Sequence, residues 1–241
     1  MALLEVKWPR TQSQRRRRWL GNLLMPLLSL ALLRALPWIG ALSVALLAES
    51  NQWGLFYWLD WPPWLVLALT LVLLDLAIYW QHRLMHRWHW LWRLHRVHHS
   101  DSRLDVTTAL RFHPLEILLS ELYKAVLVLC LGISPMAILL FAMILNGLAL
   151  FNHANLVLPA GWDSRLRRII VTPDMHRVHH SVERDEHDSN FGFCLSLWDR
   201  LFASYRATPR VGLAAMPVGL QETSNQPTGS LLWMLGQPFR K

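Results

Sequence analysis

Eight histidines in three short clusters dominate the chemistry open to this chain. His82 and His86 stand four residues apart. His95, His98 and His99 follow in the hexapeptide HRVHHS, which recurs unchanged to supply His176, His179 and His180. On a helix, positions three or four apart share a face, so His82 faces with His86, and His95 with both His98 and His99. The adjacent pair diverges by about 100°. A triplet of that kind can offer imidazoles to two neighbouring ions. Neutral imidazole is a ligand for Fe, Zn, Cu and Ni, and eight nitrogens are more than one ion can use. A pair of ions with about four or five ligands each accounts for them and leaves positions open for an oxidant. Interfacial histidines bonded to lipid headgroups are the bland alternative, which suits a lone histidine better than three spaced clusters. No wider self-similarity surrounds the repeated hexapeptide, so it reads as two surfaces of one design facing one site.

The elements that must position these clusters are apolar. Of 241 residues, 53% are hydrophobic and 17% charged, which excludes a disordered chain. Cys130 and Cys194 form no CxxC pair and no disulfide framework. The net charge of +8 suits a nucleic acid or a membrane surface; the apolar runs favour the membrane, and no nucleic-acid module is present, so no nucleic-acid partner is expected. A crossing helix needs about 20 mainly apolar residues. Residues 61–81 qualify, with Asp75 as the charge inside the run Trp61 to Tyr79. Residues 117–133 and 135–156 read as a hairpin turning at Gly132-Ile133-Ser134. Residues 19–48 contain Arg34 and Pro37 and read as one tilted or kinked crossing.

Short basic flanks stay in the cytoplasm. Arg15 to Arg18, the arginines from Arg83 to Arg111, and Arg165, Arg167 and Arg168 therefore point inside, whereas 49–60 lacks Lys and Arg and points outside. Trp53, Trp58, Trp61 and Trp64 form an aromatic belt at the outer end. Signal-peptide cleavage is not expected, because no small-residue site follows a short apolar core. The expected fold class is all-α: an integral membrane protein with about four transmembrane helices and a cytoplasmic helical cap carrying a histidine-rich dimetal site. It divides into a basic cytoplasmic N-terminus (1–18), a membrane-embedded domain (19–206) and a loosely ordered C-terminal tail (207–241), with both termini and the active site on the cytoplasmic side.

The pattern HxxxH, HxxHH, HxxHH beside short apolar spans resembles the fatty acid hydroxylase / sterol desaturase superfamily of membrane di-iron enzymes. Arg111-Phe-His113-Pro114-Leu-Glu116, Asn152-His153-Ala-Asn155, Thr172-Pro173-Asp-Met-His176 and the stretch from Asn190-Phe-Gly192 to Trp198-Asp199-Arg200-Leu-Phe202 look like further landmarks of that family, over residues 70–205. The resemblance implies a non-haem centre of two Fe ions, O2 as co-substrate, and a lipid or other hydrophobic substrate. Carried over box by box, the ligands and catalytic machinery are His82, His86, His95, His98, His99, His176, His179 and His180. Some members carry a further HxxxH at the place of His153, but its second position here is Val157, so His153 is either a ninth ligand or a structural histidine. His113 opens the hairpin and is expected to support the site or start a helix. His89 and His187 fit no box and are expected to be solvated or interfacial.

Asp101, Asp105, Asp174, Asp185 and Asp188 are candidates for accepting the second N–H of a ligand imidazole, Asp174 chief among them because it lies two residues before His176. Asp75, two turns before His82, either lines the substrate cavity or supports the site, or else makes a helix-packing hydrogen bond. The implied chemistry is O2-dependent hydroxylation; a second hydrogen abstraction gives a desaturase, and the sequence does not separate the two. No Fe–S or haem signature is present, so electrons come from an external ferredoxin- or cytochrome-like donor. A metal transporter would place its polar groups at mid-bilayer, which these clusters do not. A non-catalytic membrane protein with structural zinc is the remaining alternative.

Overall fold

The computed structural model describes residues 1–11, 16–159 and 161–240, apart from the side chains of Arg16 and Arg17. The topology reading of Arg15 therefore falls outside the described residues. Among the described residues, twelve α-helices run in chain order: α1 (Ala2–Lys7), α2 (Arg16–Ala35), α3 (Ala41–Asn51), α4 (Pro63–Arg87), α5 (His89–His99), α6 (Pro114–Leu131), α7 (Pro135–Asn152), α8 (Trp162–Leu166), α9 (Pro173–His179), α10 (Arg184–His187), α11 (Leu197–Leu201) and α12 (Leu231–Gly236). Among the described residues there are no named strands, only isolated antiparallel bridges joining Ile170 to Leu195 and Ser181 to Val218.

Local chemistry explains where the long helices start and stop. α4, α6 and α7 each carry proline in the first turn, where its missing N–H costs nothing. His113 caps α6 by accepting from Leu115 N, and Ser134 caps α7 by accepting from Ala137 N. Gly132 ends α6 in the left-handed region at φ +74°. That turn lies so close to Gly54 that a Cβ on Gly54 would sit 2.1 Å from Gly132 N. The apolar segment 19–48 is divided: α2 ends at Ala35, and the chain turns through Pro37 before α3 begins. Glu121 of α6 accepts from Ala41 N at 2.9 Å and pairs with Lys124, holding the start of α3 against α6.

Among the described residues, α4 and α7 are the helices long and apolar enough, by length and composition, to cross a membrane. Ala41, Ala45 and Ala48 form a small-residue stripe that brings α3 close to α6 and α7, in a core shared with Leu74, Val128 and Phe141. α5 and α9 to α11 pack beyond the ends of these helices and carry most of the histidines. The C-terminal segment expected to be loose is docked. Trp233 and Met234 are buried against Met25 and Val97, and the carbonyls of Gln237, Pro238 and Arg240 accept from Arg93 and Arg96. Its Pro, Gly and Ser content disfavours long helices, yet the backbone carbonyls it leaves free are good acceptors for the half-buried α5 arginines.

Candidate metal centre

His82 and His86 stand on the last turns of α4, and His95, His98 and His99 on the last turns of α5. His176 and His179 lie on α9, whose start is fixed by Pro173 and by Thr172 Oγ1 accepting from Met175 N. His180 is the residue after α9, and His153 the residue after α7. All nine are buried, at 0–6% exposure.

They form two groups in each of which the ring nitrogens lie within 4.8 Å of one another. One holds His82, His86, His95, His99 and His179; the other holds His98, His153, His176 and His180. The two copies of the hexapeptide divide reciprocally. The first gives its i, i+4 pair, His95 and His99, to the five-membered group and His98 to the other; the second gives His176 and His180 to the four-membered group and His179 to the first. The divergence of adjacent side chains on a helix produces both splits. The groups abut, with the His99 and His180 rings stacked at 4.5 Å.

Hydrogen bonds at the far nitrogen fix several rings. His82 Nδ1 donates to Phe191 O, His179 Nδ1 to Ser189 O and His153 Nδ1 to Ala149 O, each at 2.7 Å. His95 Nδ1 donates to Glu116 Oε1 at 2.7 Å, and His86 Nδ1 to Asp188 Oδ1 at 3.2 Å. A neutral ring that donates from Nδ1 carries a lone pair on Nε2. The His82 and His95 Nε2 atoms face each other at 3.1 Å, and His153 Nε2 lies 3.1 Å from His98 Nε2 and 3.0 Å from His176 Nε2. His82 and His95, both donating from Nδ1, thus face each other with lone pairs that repel; a cation between them turns the repulsion into coordination. His86 Nε2, His99 Nε2 and His179 Nε2 are buried without a protein partner, an arrangement that costs free energy unless an ion is bound. Burial holds His98, His99, His176, His179 and His180 well below the usual imidazole pKa, which keeps them neutral and able to ligate. The donor set fits two imidazole-bound transition-metal ions.

The supporting residues depart from the sequence expectation in several places. Asp174 pairs with Arg10 and touches no histidine. Asp101 and Asp105 pair with Arg18, and Asp185 with Arg206 and Arg210. Among the five candidate aspartates, Asp188 reaches a histidine of the two groups. Glu116 supports His95 instead, and its signal in the sequence is its place in the first turn of α6, two residues after Pro114. Phe191 O, Ser189 O and Ala149 O have no side-chain signal at all. Asp75 accepts from Cys194 N, Leu195 N and Trp198 Nε1 at 2.8–3.3 Å, hydrogen bonds that pack α4 against the loop whose Phe191 braces His82. His113 starts α6, as expected. His89 is exposed. His187 is buried, stacks on Trp92 at 5.4 Å and lies beside His86 and Asp188, so it is neither solvated nor interfacial: the short α10 turns it inward.

A cavity of about 480 Å³ opens onto His82 and His95, walled by residues of α2, α4, α6 and α7 such as Leu30, Ile78, Met85, Ile117 and Leu145, and by Phe193 of the loop before α11. Its size falls in the range of small-molecule sites, and its walls are mainly apolar.

A sequence profile described as fatty acid hydroxylase matches residues 67–204. Ornithine lipid hydroxylase of Rhizobium tropici is 30% identical over 202 residues, covering 83% of this chain and 59% of its own length. Alkylglycerol monooxygenase of Danio rerio is 31% identical over 184 residues, covering 74% of this chain and 39% of its own. A putative Delta(7)-sterol-C5(6)-desaturase 2 of Arabidopsis thaliana is 27% identical over 186 residues, covering 71% and 61%. The chain thus spans between 39% and 61% of the length of these relatives. No solved structure matches it.

Proposed function

The chain belongs to the fatty acid hydroxylase family, and from that premise we propose that it is a membrane-bound di-iron hydroxylase that uses O2 to oxidise a lipid. The observation that carries this reading is the pair of abutting histidine groups, one of which opens onto an apolar cavity. Two bound iron ions supply the redox chemistry for O2-dependent oxidation of a C–H bond. The balance is R–H + O2 + 2 electrons + 2 protons giving R–OH + H2O, with the electrons from a separate ferredoxin- or cytochrome-like donor. His82, His86, His95, His99 and His179 hold one ion, and His98, His153, His176 and His180 the other. Glu116 and the Phe191, Ser189 and Ala149 carbonyls keep Nδ1 protonated and Nε2 aimed inward. The cavity walls exclude water and seat the substrate chain with one carbon at the His82 and His95 end, where positioning selects the bond that reacts.

The membrane domain (19–206) places α2–α3, α4, α6 and α7 as four passes, with the histidine-bearing cap and the basic residues 1–18 on the cytoplasmic side. The desaturase relative supports a second reading for the same site: removal of a second hydrogen from the neighbouring carbon in place of oxygen transfer.

The test is metal analysis and Mössbauer spectroscopy on protein purified in mild detergent from iron-57-supplemented cells. The control is a His98→Ala/His179→Ala variant, which removes one ligand from each group. The expected result is about two irons per chain as a coupled pair, lost in the variant. One tightly held zinc, or no metal in folded protein, sinks the proposal and favours a structural-zinc protein.

A further inference from the structure

Among the described residues, the largest fully buried side chain is an arginine, Arg111. None of its hydrogen bonds described goes to a histidine; they go to neutral acceptors on three separate parts of the chain. Nε donates to Val97 O at 2.8 Å, and one terminal nitrogen to Asn22 Oδ1 of α2 at 3.0 Å. The other donates to Ser100 Oγ at 2.9 Å and to Thr228 O at 2.5 Å. Asn22 in turn donates to Asp101 Oδ2 at 3.3 Å, which also accepts from Arg18 and Thr108. The charge of Arg111 is thereby balanced at one remove.

Val97 and Ser100 bracket His98 and His99, the adjacent pair that divides between the two groups. A change in the pitch or rotation of this turn moves one ligand in each group together. Arginine suits the task because its planar fork has five N–H donors in fixed directions, whereas lysine has a single ammonium centre on a flexible stem. The Thr228 contact brings in the C-terminal segment, which lies beyond the family match ending at residue 204. Its seat is tight: a Cβ on Gly21 of α2 would lie 2.4 Å from Gly229 O and 2.8 Å from Met234 Cε.

The geometry points to Arg111 as a positioning residue that sets the last turn of α5 for both histidine groups at once, with the segment around Thr228 holding Arg111 in place. This rests on the metal-binding reading above for its consequence, and on hydrogen bonding alone for its cause.

Gly21→Ala tests it. The added methyl touches no histidine and favours helix α2, yet it must push the Thr228–Gly229 turn away from Arg111. Arg111→Lys is the companion, and hydrogen exchange of the amides at residues 97–101 and the iron Mössbauer signature are the readouts. In Gly21→Ala, exchange at 97–101 should rise about tenfold while α7 stays protected, which separates this local opening from global unfolding. The quadrupole signals of both irons should shift with iron content retained. Arg111→Lys should do more of the same, and the double variant no more than Arg111→Lys alone, because one contact is lost in both. Wild-type exchange at 97–101 in Gly21→Ala, a shift at one iron only, or additive effects overturn the proposal. If Arg111→Lys fails to fold, Gly21→Ala decides alone. Absence of iron in the wild type defeats the functional reading instead, and the exchange of 97–101 then decides this one by itself.

Discussion

The two histidine groups share ligand type and burial but differ in how they are held. In the five-membered group, four rings are braced at Nδ1: His82 by Phe191 O, His86 by Asp188, His95 by Glu116 and His179 by Ser189 O. In the four-membered group His153 is braced, by Ala149 O, while the Nδ1 atoms of His98, His176 and His180 are buried without a protein partner. The cavity also reaches the first group, through His82 and His95. Bracing fixes the tautomer and makes imidazole a stronger donor. The more firmly held group is thus the one that faces the apolar cavity, where the proposed function needs its ligands kept most closely in place.

Acid presses on both groups and has the largest expected effect. In the folded, metal-free chain, burial keeps His98, His99, His176, His179 and His180 neutral well below their usual pKa, whereas the unfolded chain protonates them near pH 6.5. The unfolded state then binds more protons, so this contribution is complete above about pH 6.5 and is lost as pH falls toward the folded values. Each histidine costs up to about 1.4 kcal/mol per pH unit in that window. Denaturant unfolding of the metal-free protein at about pH 7.5 and pH 5.5 should show a loss of several kcal/mol. An unchanged midpoint would mean that the rings take up protons as readily in the folded chain as in the unfolded one.

Glu116→Ala addresses the bracing difference directly. It should weaken the metal of the five-membered group about 10- to 100-fold and leave the other nearly untouched. Chelator titration followed by Mössbauer spectroscopy reads the order of loss. The four-membered group should empty first in the wild type, and the order should narrow or reverse in the variant. Asp75→Asn acts one step further back and should be the smallest. It weakens the acceptor of three N–H donors that fasten the 191–198 loop, costing about 1–3 kcal/mol of stability. Metal content should hold, and a vanished iron pair would place Asp75 in the site itself.

The histidine groups were legible because their signal is local: two spacings and a repeated hexapeptide fix which side chains share a helical face. Face-sharing alone left open which of His98 and His99 joins His95, since that depends on α9, far away in the chain. The long apolar helices and the Gly132 turn were also legible, from run length and a backbone conformation that glycine adopts readily. The supports were not. Asp174 lost to Glu116 because closeness in sequence says little about which carboxylate a fold brings behind a ring, and carbonyl braces leave no mark in residue type. The tail misled by its composition: Pro, Gly and Ser forbid regular structure without forbidding a fixed path, and Arg93, Arg96 and Arg111 supply the donors that fix this one.

The reciprocal division of the two hexapeptides bears on how the molecule comes into being. Neither copy can complete a group alone, and ligands of each group extend from α4 or α5 to the end of α9. During synthesis the first copy emerges with its rings unsatisfied and must wait for the second, about eighty residues later, while loop closure between them is opposed by chain entropy. Ion capture and final assembly of the cap then form one cooperative event. Iron starvation would accordingly deplete the folded protein itself, by leaving newly made chains open to proteolysis, before it produced a standing pool of intact but idle enzyme.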